Sequence, residues 1–386
     1  MSLDAVRGFD MFWIAGGEEV IRGLYKALPN ALTKILDNQM HHKAWGGVAC
    51  YDLIFPLFTF IIGVSVVFSV RRMLEQDGLA RTLLRIFTRS LTLYILGLLV
   101  YGGVSKGWDH VRWLGVLQRL ALCYFFTSLL FCVLRLRGLI TACVALLLGY
   151  WALANFVPIR DFNLNKAHLK ARHLEPASPE TRAQFLATTN YVRGQFEDGL
   201  CLPQQIDFLY LPGRKWDGAY DPEGILSTLP AVATCLLGVF AGLLLNSKTL
   251  SDQKKVIWLL AAGVAGVAAG FLWGLQFPVI KKIWTSSYVL VAGGYACLLL
   301  GAFHQVIEVW QRRKWCIPFV WIGMNPITVY LAFNLFSIGD LAELVAGGPV
   351  KTALGSWGNL VLALVATTIM FAMVRFLYRR KIFLRL

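Results

Sequence analysis

Apolar runs broken by short basic loops set the pattern of this chain. From Leu53 to Val70 eighteen residues pass without a charge, enough at about 1.5 Å per residue to cross a hydrocarbon layer about 30 Å thick. Gly138 to Val157, Ile225 to Leu245, Val256 to Leu275 and Trp284 to Val306 read as membrane helices most directly. Trp113 to Leu134, Pro318 to Phe336 and Trp357 to Val374 follow. The signal is weakest for Ser90 to Tyr101, which is short, and for Gly8 to Tyr25, which carries Asp10, Glu18 and Glu19. These ten candidates predict an all-α, polytopic transmembrane helical bundle of about 10–11 membrane helices. Residues 1–386 are expected to form a single transmembrane domain with one long extracytoplasmic loop, 158–222.

Loop charge gives the expected orientation, because Lys and Arg resist translocation. Arg71, Arg72, Arg81, Arg85 and Arg89 fall on the same side as Arg135, Arg137, Lys254, Lys255, Arg312, Arg313, Arg379 and Arg380. That side is expected to be cytoplasmic, with both termini on it if the helices number ten and His42 opposite. The loop 158–222 is too long for a tight connection and predicts a lid or substrate-gathering subdomain.

Composition narrows the class. With 57% hydrophobic and 15% charged residues and a mean hydropathy of +0.60, the bilayer is the expected solvent. The net charge of +15 lies in loops whose bias orientation already explains, which argues against nucleic acid as a partner. No basic leader or small-residue cleavage pattern precedes the first apolar stretch, so that helix is expected to be its own insertion signal. None of Asn155, Asn163, Asn165 and Asn190 begins a glycosylation signal, and a bacterial inner membrane is the expected location. Of the cysteines, only Cys201 lies in the long loop, so neither a disulfide framework nor a metal site is expected.

The chemistry-bearing residues sit at the mouth of the Leu53 run, where His41-His42-Lys43-Ala44-Trp45-Gly46-Gly47 precedes Asp52. A histidine acting as a base needs a partner to fix its tautomer, and a carboxylate ten residues on can fold back across a Gly-Gly turn. The same residues also suit an interfacial imidazole, an aromatic-belt tryptophan and a first-turn carboxylate. Arg119 is the one basic residue left within a span, so it is expected to meet an acid such as Asp52, Glu18 or Glu19, or an anionic ligand. Asp221-Pro222-Glu223 reads as a cap and first turn for a helix beginning at Ile225, with substrate contact as the alternative. Gly323-Met324-Asn325-Pro326 predicts a broken or kinked span whose Asn325 amide can line a polar cavity.

Taken in order, Ser2-Leu3-Asp4-Ala5-Val6-Arg7-Gly8, His42-Lys43-Ala44-Trp45 with Asp52-Leu53-Ile54-Phe55-Pro56, Gly115-Val116-Leu117-Gln118-Arg119-Leu120, Tyr220-Asp221-Pro222-Glu223-Gly224 and Gly323-Met324-Asn325-Pro326 resemble the heparan-alpha-glucosaminide N-acetyltransferase family over nearly the whole chain. The resemblance implies a transmembrane acyltransferase that takes acetyl from cytosolic acetyl-CoA and passes it, without a metal, to the amine of a glucosamine-like amino sugar on the far side. It implies His42 rather than His41 as general base or acetyl carrier, because the family's histidine stands ten residues ahead of its aspartate, here Asp52. Where the family commonly has an asparagine this chain has Glu18, a third implied catalytic position. A carboxylate there must be protonated, paired with Arg119 or turned to the sugar. Substrate contacts are expected at Trp45, Arg119, Gln118, Glu223 and Asn325. The CoA phosphates are expected at Arg71, Arg72, Arg85 and Arg89, since guanidinium groups bind phosphate bidentately. A second copy of the chain is a candidate partner, as a homodimer. An inner-membrane transporter of amino sugars or peptidoglycan-derived sugars, and a glycan O-acetyltransferase, are alternative readings of the same residues.

Overall fold

The computed structural model describes residues 1–335 and 338–384. The N-terminal segment holds α1 (Ser2–Phe12), α2 (Glu18–Ala27) and α3 (Ala31–Gln39). The bundle continues with α4 (Ile54–Val100), α5 (Val116–Val133) and α6 (Leu136–Phe156). A loop region then carries β1 (Ile159–Arg160), α7 (Lys166–Ala171), α8 (Pro179–Ala187), β2 (Tyr191–Val192) and α9 (Leu202–Tyr210). The second half comprises α10 (Thr228–Leu245), α11 (Asp252–Gly274), α12 (Ser286–His304), α13 (Ile317–Gly323), α14 (Pro326–Leu335), α15 (Ile338–Ala346), α16 (Gly348–Ala353) and α17 (Gly358–Arg379).

A straight helix the length of α4, 47 residues, would run about 70 Å, more than twice the hydrocarbon thickness. Gly78 prevents this. Its φ of 74° and ψ of 176° are open only to glycine at no steric cost, and the helix folds back there into two arms. Phe58 of the first arm shares a core cluster with Leu93 of the second, and Val70 shares another with Ile86. The runs Leu53 to Val70 and Ser90 to Tyr101 are therefore two legs of one hairpin, tied across the turn by an Arg85–Asp77 ion pair.

Among the described residues, seven helices are long and apolar enough to cross a membrane, or eight if the pair α13–α14, bent by 65°, is one span. This is a multi-pass membrane protein. The bend falls at Met324 and Asn325, ahead of the proline that cannot continue a hydrogen-bond ladder. The end of that run, Phe336, lies outside the described residues. The α4–α10 crossing is close because both helices put glycine at the contact. A methyl group on Gly63 would strike the Cys235 carbonyl, and one on Gly238 the Phe60 carbonyl.

Two ends of the bundle follow from long-range contacts. At the basic end, the Ser2 amide donates to Glu308 at 3.0 Å and His304 meets Asp252 at 3.5 Å. At the other end the loop after α3, the turn after α4, residues 157–227 and the 275–285 connection come together. Gly47 N–H donates to the Val279 carbonyl at 2.9 Å, and Gly46 bridges Ile280. The Trp45 indole donates to the Phe196 carbonyl at 2.7 Å. The long loop has its own small core of Phe162, Leu164, Leu169, Phe185, Phe208 and Tyr220. β1 and β2 pair antiparallel beside it.

Candidate active site

Three local features build the site on the His42 face. The chain leaves α3 at Met40 and turns at Gly47, whose φ is 91°. It then re-enters the membrane through a short 3-10 turn, Cys50–Leu53, that carries Asp52. The turn reverses the chain, and the ten-residue spacing becomes a contact. His42 Nδ1 lies 2.8 Å from Asp52 Oδ1. Asp52 is 1% exposed, and its second oxygen accepts from the amides of Ala49 at 3.0 Å and Lys43 at 3.2 Å. The Tyr288 hydroxyl donates to the Asp52 carbonyl at 2.6 Å. A carboxylate fixed by two backbone donors holds Nδ1–H of the imidazole, so the lone pair falls on Nε2. The His42 side chain is 54% exposed, which leaves it open to a substrate. His41 instead faces Asp37 of α3, 3.7 Å away.

Glu18 belongs to this cluster, though not as an ion-pair partner of Arg119. It pairs with Arg22 at 3.2 Å, and the Tyr51 hydroxyl hydrogen-bonds to it. The Tyr51 ring centroid lies 4.7 Å from that of His42. Arg22 also donates to the Met40 carbonyl at 3.2 Å, which fixes the chain just ahead of His42. Trp45 is committed to the Phe196 carbonyl and packs with Cys201, Ile280 and Ile283, so it locks the long loop over the His42 turn.

Arg119 occupies the first turn of α5, at the membrane boundary rather than deep in the span, and is fully buried. Among the described residues no carboxylate is bonded to it. Nη2 donates to the Gly224 carbonyl at 3.2 Å and to the Ser227 hydroxyl, and the guanidinium lies 5.1 Å from the Trp284 ring centroid. The expected pairing with Asp52, Glu18 or Glu19 is thus replaced by a grip on the loop that precedes α10. The N–H on the far side of the same peptide, Ile225 N, donates to Asp207 Oδ1 at 2.8 Å. Arg119 and Asp207 therefore clamp one peptide unit from its two ends. Burial pushes the Asp207 carboxyl up to about 7, against the pull of the Ile225 and Asp221 amides.

Asp221 and Glu223 do not cap a helix at Ile225, because α10 begins only at Thr228. Their partner is Arg112, which meets Asp221 through Nη2 at 2.7 Å and Nε at 2.9 Å and reaches Glu223 at 2.6 Å. All three are nearly buried, and Arg112 lies between the Tyr101 and Trp216 rings. Gln118 supports the same corner by donating to the Arg112 carbonyl at 3.2 Å. The sequence pattern singles out neither Arg112 nor Lys281 as a candidate site residue. Each is nonetheless a basic residue on the side that charge bias is expected to keep poor in them. Lys281 Nζ lies 2.9 Å from His42 Nδ1 and 3.3 Å from Asp52 Oδ1.

A cavity of about 500 Å³ runs lengthwise through the bundle. Along the first arm of α4 its wall extends from Phe55 to Met73, about 27 Å of helix. Its basic end carries Arg7, Arg85 and Arg89, and its far end reaches Phe55, within one turn of Asp52. Between them the wall is mostly apolar, with Met11, Phe58, Leu117 and Tyr330. Of the four arginines singled out for phosphate, Arg85 and Arg89 line this cavity. Arg71 turns to Glu75 at 3.1 Å, and neither Arg71 nor Arg72 is part of the wall. Asn325 is buried beside the cavity, away from His42, and its Oδ1 accepts from the Leu384 amide at 3.3 Å. Among the described residues no cluster of three or more His, Cys, Asp or Glu side chains is placed to hold a metal.

Comparison with known proteins adds similarity at the level of sequence. Residues 1–180 match the family model described as heparan-alpha-glucosaminide N-acetyltransferase, catalytic. The heparan-alpha-glucosaminide N-acetyltransferase of Homo sapiens is 28% identical over 384 residues, covering 89% of this chain and 55% of that protein. The Mus musculus protein of the same name is 28% identical over 337 residues, covering 76% of this chain and 49% of its own length. The chain thus spans about half the length of the curated relatives it matches. It is similar to heparan-alpha-glucosaminide N-acetyltransferases, over residues 1–180 by the family model and over most of its length by the two relatives.

Proposed function

We propose that this protein transfers acetyl from acetyl-CoA to the amine of an amino sugar on the opposite face of the membrane, with His42 as general base and Asp52 as its orienting partner. The observation that carries this reading is the 2.8 Å contact between His42 Nδ1 and an almost fully buried Asp52. It leaves Nε2 basic and accessible. A glucosamine-like amine is mostly protonated near neutral pH and must lose a proton before it attacks a thioester. A histidine with a pKa near 7 suits that task. In the reaction the nitrogen–acetyl bond forms, the carbon–sulfur bond breaks, Nε2 takes the amine proton and the CoA thiolate leaves.

The cavity supports the donor side. Its guanidinium-bearing end suits phosphates, its apolar shaft suits an extended pantetheine arm, and it ends beside the Asp52 turn. The basic face would then be cytoplasmic, and Glu223 and Glu18 would meet the sugar on the other side. Incubating the purified protein with labelled acetyl-CoA and a panel of amino sugars tests this directly. Labelled amide is expected, and it should fall about 10²- to 10⁴-fold in His42→Ala while His41→Ala stays close to wild type. An ester product would identify a glycan O-acetyltransferase. Uptake of labelled sugar without acetyl-CoA consumption would identify a transporter. Full activity in His42→Ala would remove the histidine from the chemistry.

A further inference from the structure

A carboxylate 2.8 Å from an imidazole does more than orient it. By itself it stabilises the imidazolium, and a histidine held as imidazolium cannot accept a proton. Asp52 therefore threatens the role that the reading above gives to His42, unless another charge offsets it. The groups facing His42 are few. Asp52 comes from its own loop, as does Tyr51 with its ring 4.7 Å away. Behind Tyr51 stands Glu18, already matched by Arg22 at 3.2 Å. From the 275–285 connection comes Lys281, which Glu223 faces in turn while itself bonded to Arg112.

Lys281 Nζ is 2.9 Å from His42 Nδ1, 3.4 Å from Nε2 and 3.3 Å from Asp52 Oδ1. The lone pairs of the two ring nitrogens diverge in the plane of the ring. An atom this close to both lies along neither, so the ammonium leaves Nδ1–H free to donate to Asp52. We propose that Lys281 is a positioning residue that keeps His42 an uncharged base by balancing the Asp52 carboxylate from beside the imidazole ring. This rests on the reading of His42 as the base.

The fold holds the lysine there deliberately. Gly47 N–H on the Val279 carbonyl and the Gly46–Ile280 bridge dock the His42 turn onto the residues just before Lys281. The lysine side chain is only 20% exposed. Burial draws its pKa below the ordinary value, and Asp52, then Glu223, oppose that loss of charge.

The test reads the charge state of His42 in two independent ways in the full-length, membrane-reconstituted protein. The first is the pH profile of kcat/KM for acetyl transfer to glucosamine. The second is the pH dependence of diethylpyrocarbonate modification at His42, followed by mass spectrometry, since only the neutral imidazole reacts. Removing a like charge at this distance should raise the proton affinity of His42, so Lys281→Met is expected to move both midpoints to higher pH by about one unit or more. Lys281→Arg, which retains the charge, is expected to move them much less. If Lys281→Met fails to fold, Lys281→Gln is measured in its place, with thermal unfolding as the control. Lower activity with both midpoints unmoved would make Lys281 merely structural and overturn the proposal. A shifted modification midpoint in a protein that transfers no acetyl would keep the charge-balancing role and refute the acetyltransferase reading instead.

Discussion

His42 and Asp52 find each other because a ten-residue spacing across Gly46-Gly47 closes into a turn, so their pairing is a local event. Asp207 shows the opposite case, a carboxyl whose properties come from distant neighbours. It accepts from Ile225 N and is 2% exposed, and burial raises it from the ordinary 3.8 to about 7. A group raised on folding contributes stability that is fully present below its unfolded value and is lost as pH climbs through its folded value. Asp207 should therefore make the protein progressively less stable between about pH 4 and 7, the window set by 3.8 and about 7. At about 1.4 kcal/mol per pH unit the ceiling on this effect is about 4 kcal/mol. Asp207→Asn keeps the acceptor and removes the titration. Melting curves should show the variant gaining on wild type from pH 4 to 7 and running parallel to it above pH 8. A difference independent of pH would show that Asp207 is already ionised throughout.

At the scale of elements, α5 and the turn before α10 are joined through a single peptide. Arg119 holds its carbonyl and Asp207 its N–H. Arg119→Leu strips a charged donor from a buried carbonyl and hydroxyl, a loss of about 2 to 4 kcal/mol. Because no carboxylate of the His42 cluster is bonded to Arg119, neither Glu18→Gln nor Asp52→Asn should rescue that loss. Arg119→Leu combined with Asp207→Asn should be non-additive, since the two residues share one peptide. Rescue by Glu18→Gln, scored by chemical denaturation in detergent, would place the Arg119 partner in the His42 cluster after all.

At the scale of the whole molecule, the cavity runs beside the first arm of α4 from Phe55 to Met73, between the two ends of the bundle. Its basic end has Arg85 and Arg89 in the wall, whereas Arg71, which pairs with Glu75, and Arg72 are not part of it. If the cavity admits acetyl-CoA, Arg85→Ala or Arg89→Ala should raise the acetyl-CoA KM about tenfold, the equivalent of about 1.4 kcal/mol. Arg71→Ala and Arg72→Ala should leave it within about twofold of wild type. Steady-state kinetics at saturating amino sugar separate the two pairs. Equal effects at all four positions would mean that general surface charge, not the cavity wall, attracts the donor.

The sequence by itself determined that the chain is all-α with several membrane-crossing helices, because the free energy of placing a residue in hydrocarbon depends chiefly on that residue and its immediate neighbours. The expected span Gly8 to Tyr25 is instead broken between α1 and α2 at Ala15 and Gly16, and is not among the helices long and apolar enough to cross. The sequence also made His42, Asp52 and the break at Asn325 legible, since a ten-residue turn and a helix-ending proline are decided locally. The tertiary structure decided which charges neutralise which. Arg112 meets Asp221 and Glu223 more than a hundred residues away, and Lys281 meets His42 across 239. Arg119 finds a loop carbonyl instead of an acid. Such pairings depend on how helices and loops assemble around buried polar groups, and only three-dimensional packing sets which donor and acceptor are shut away from water together.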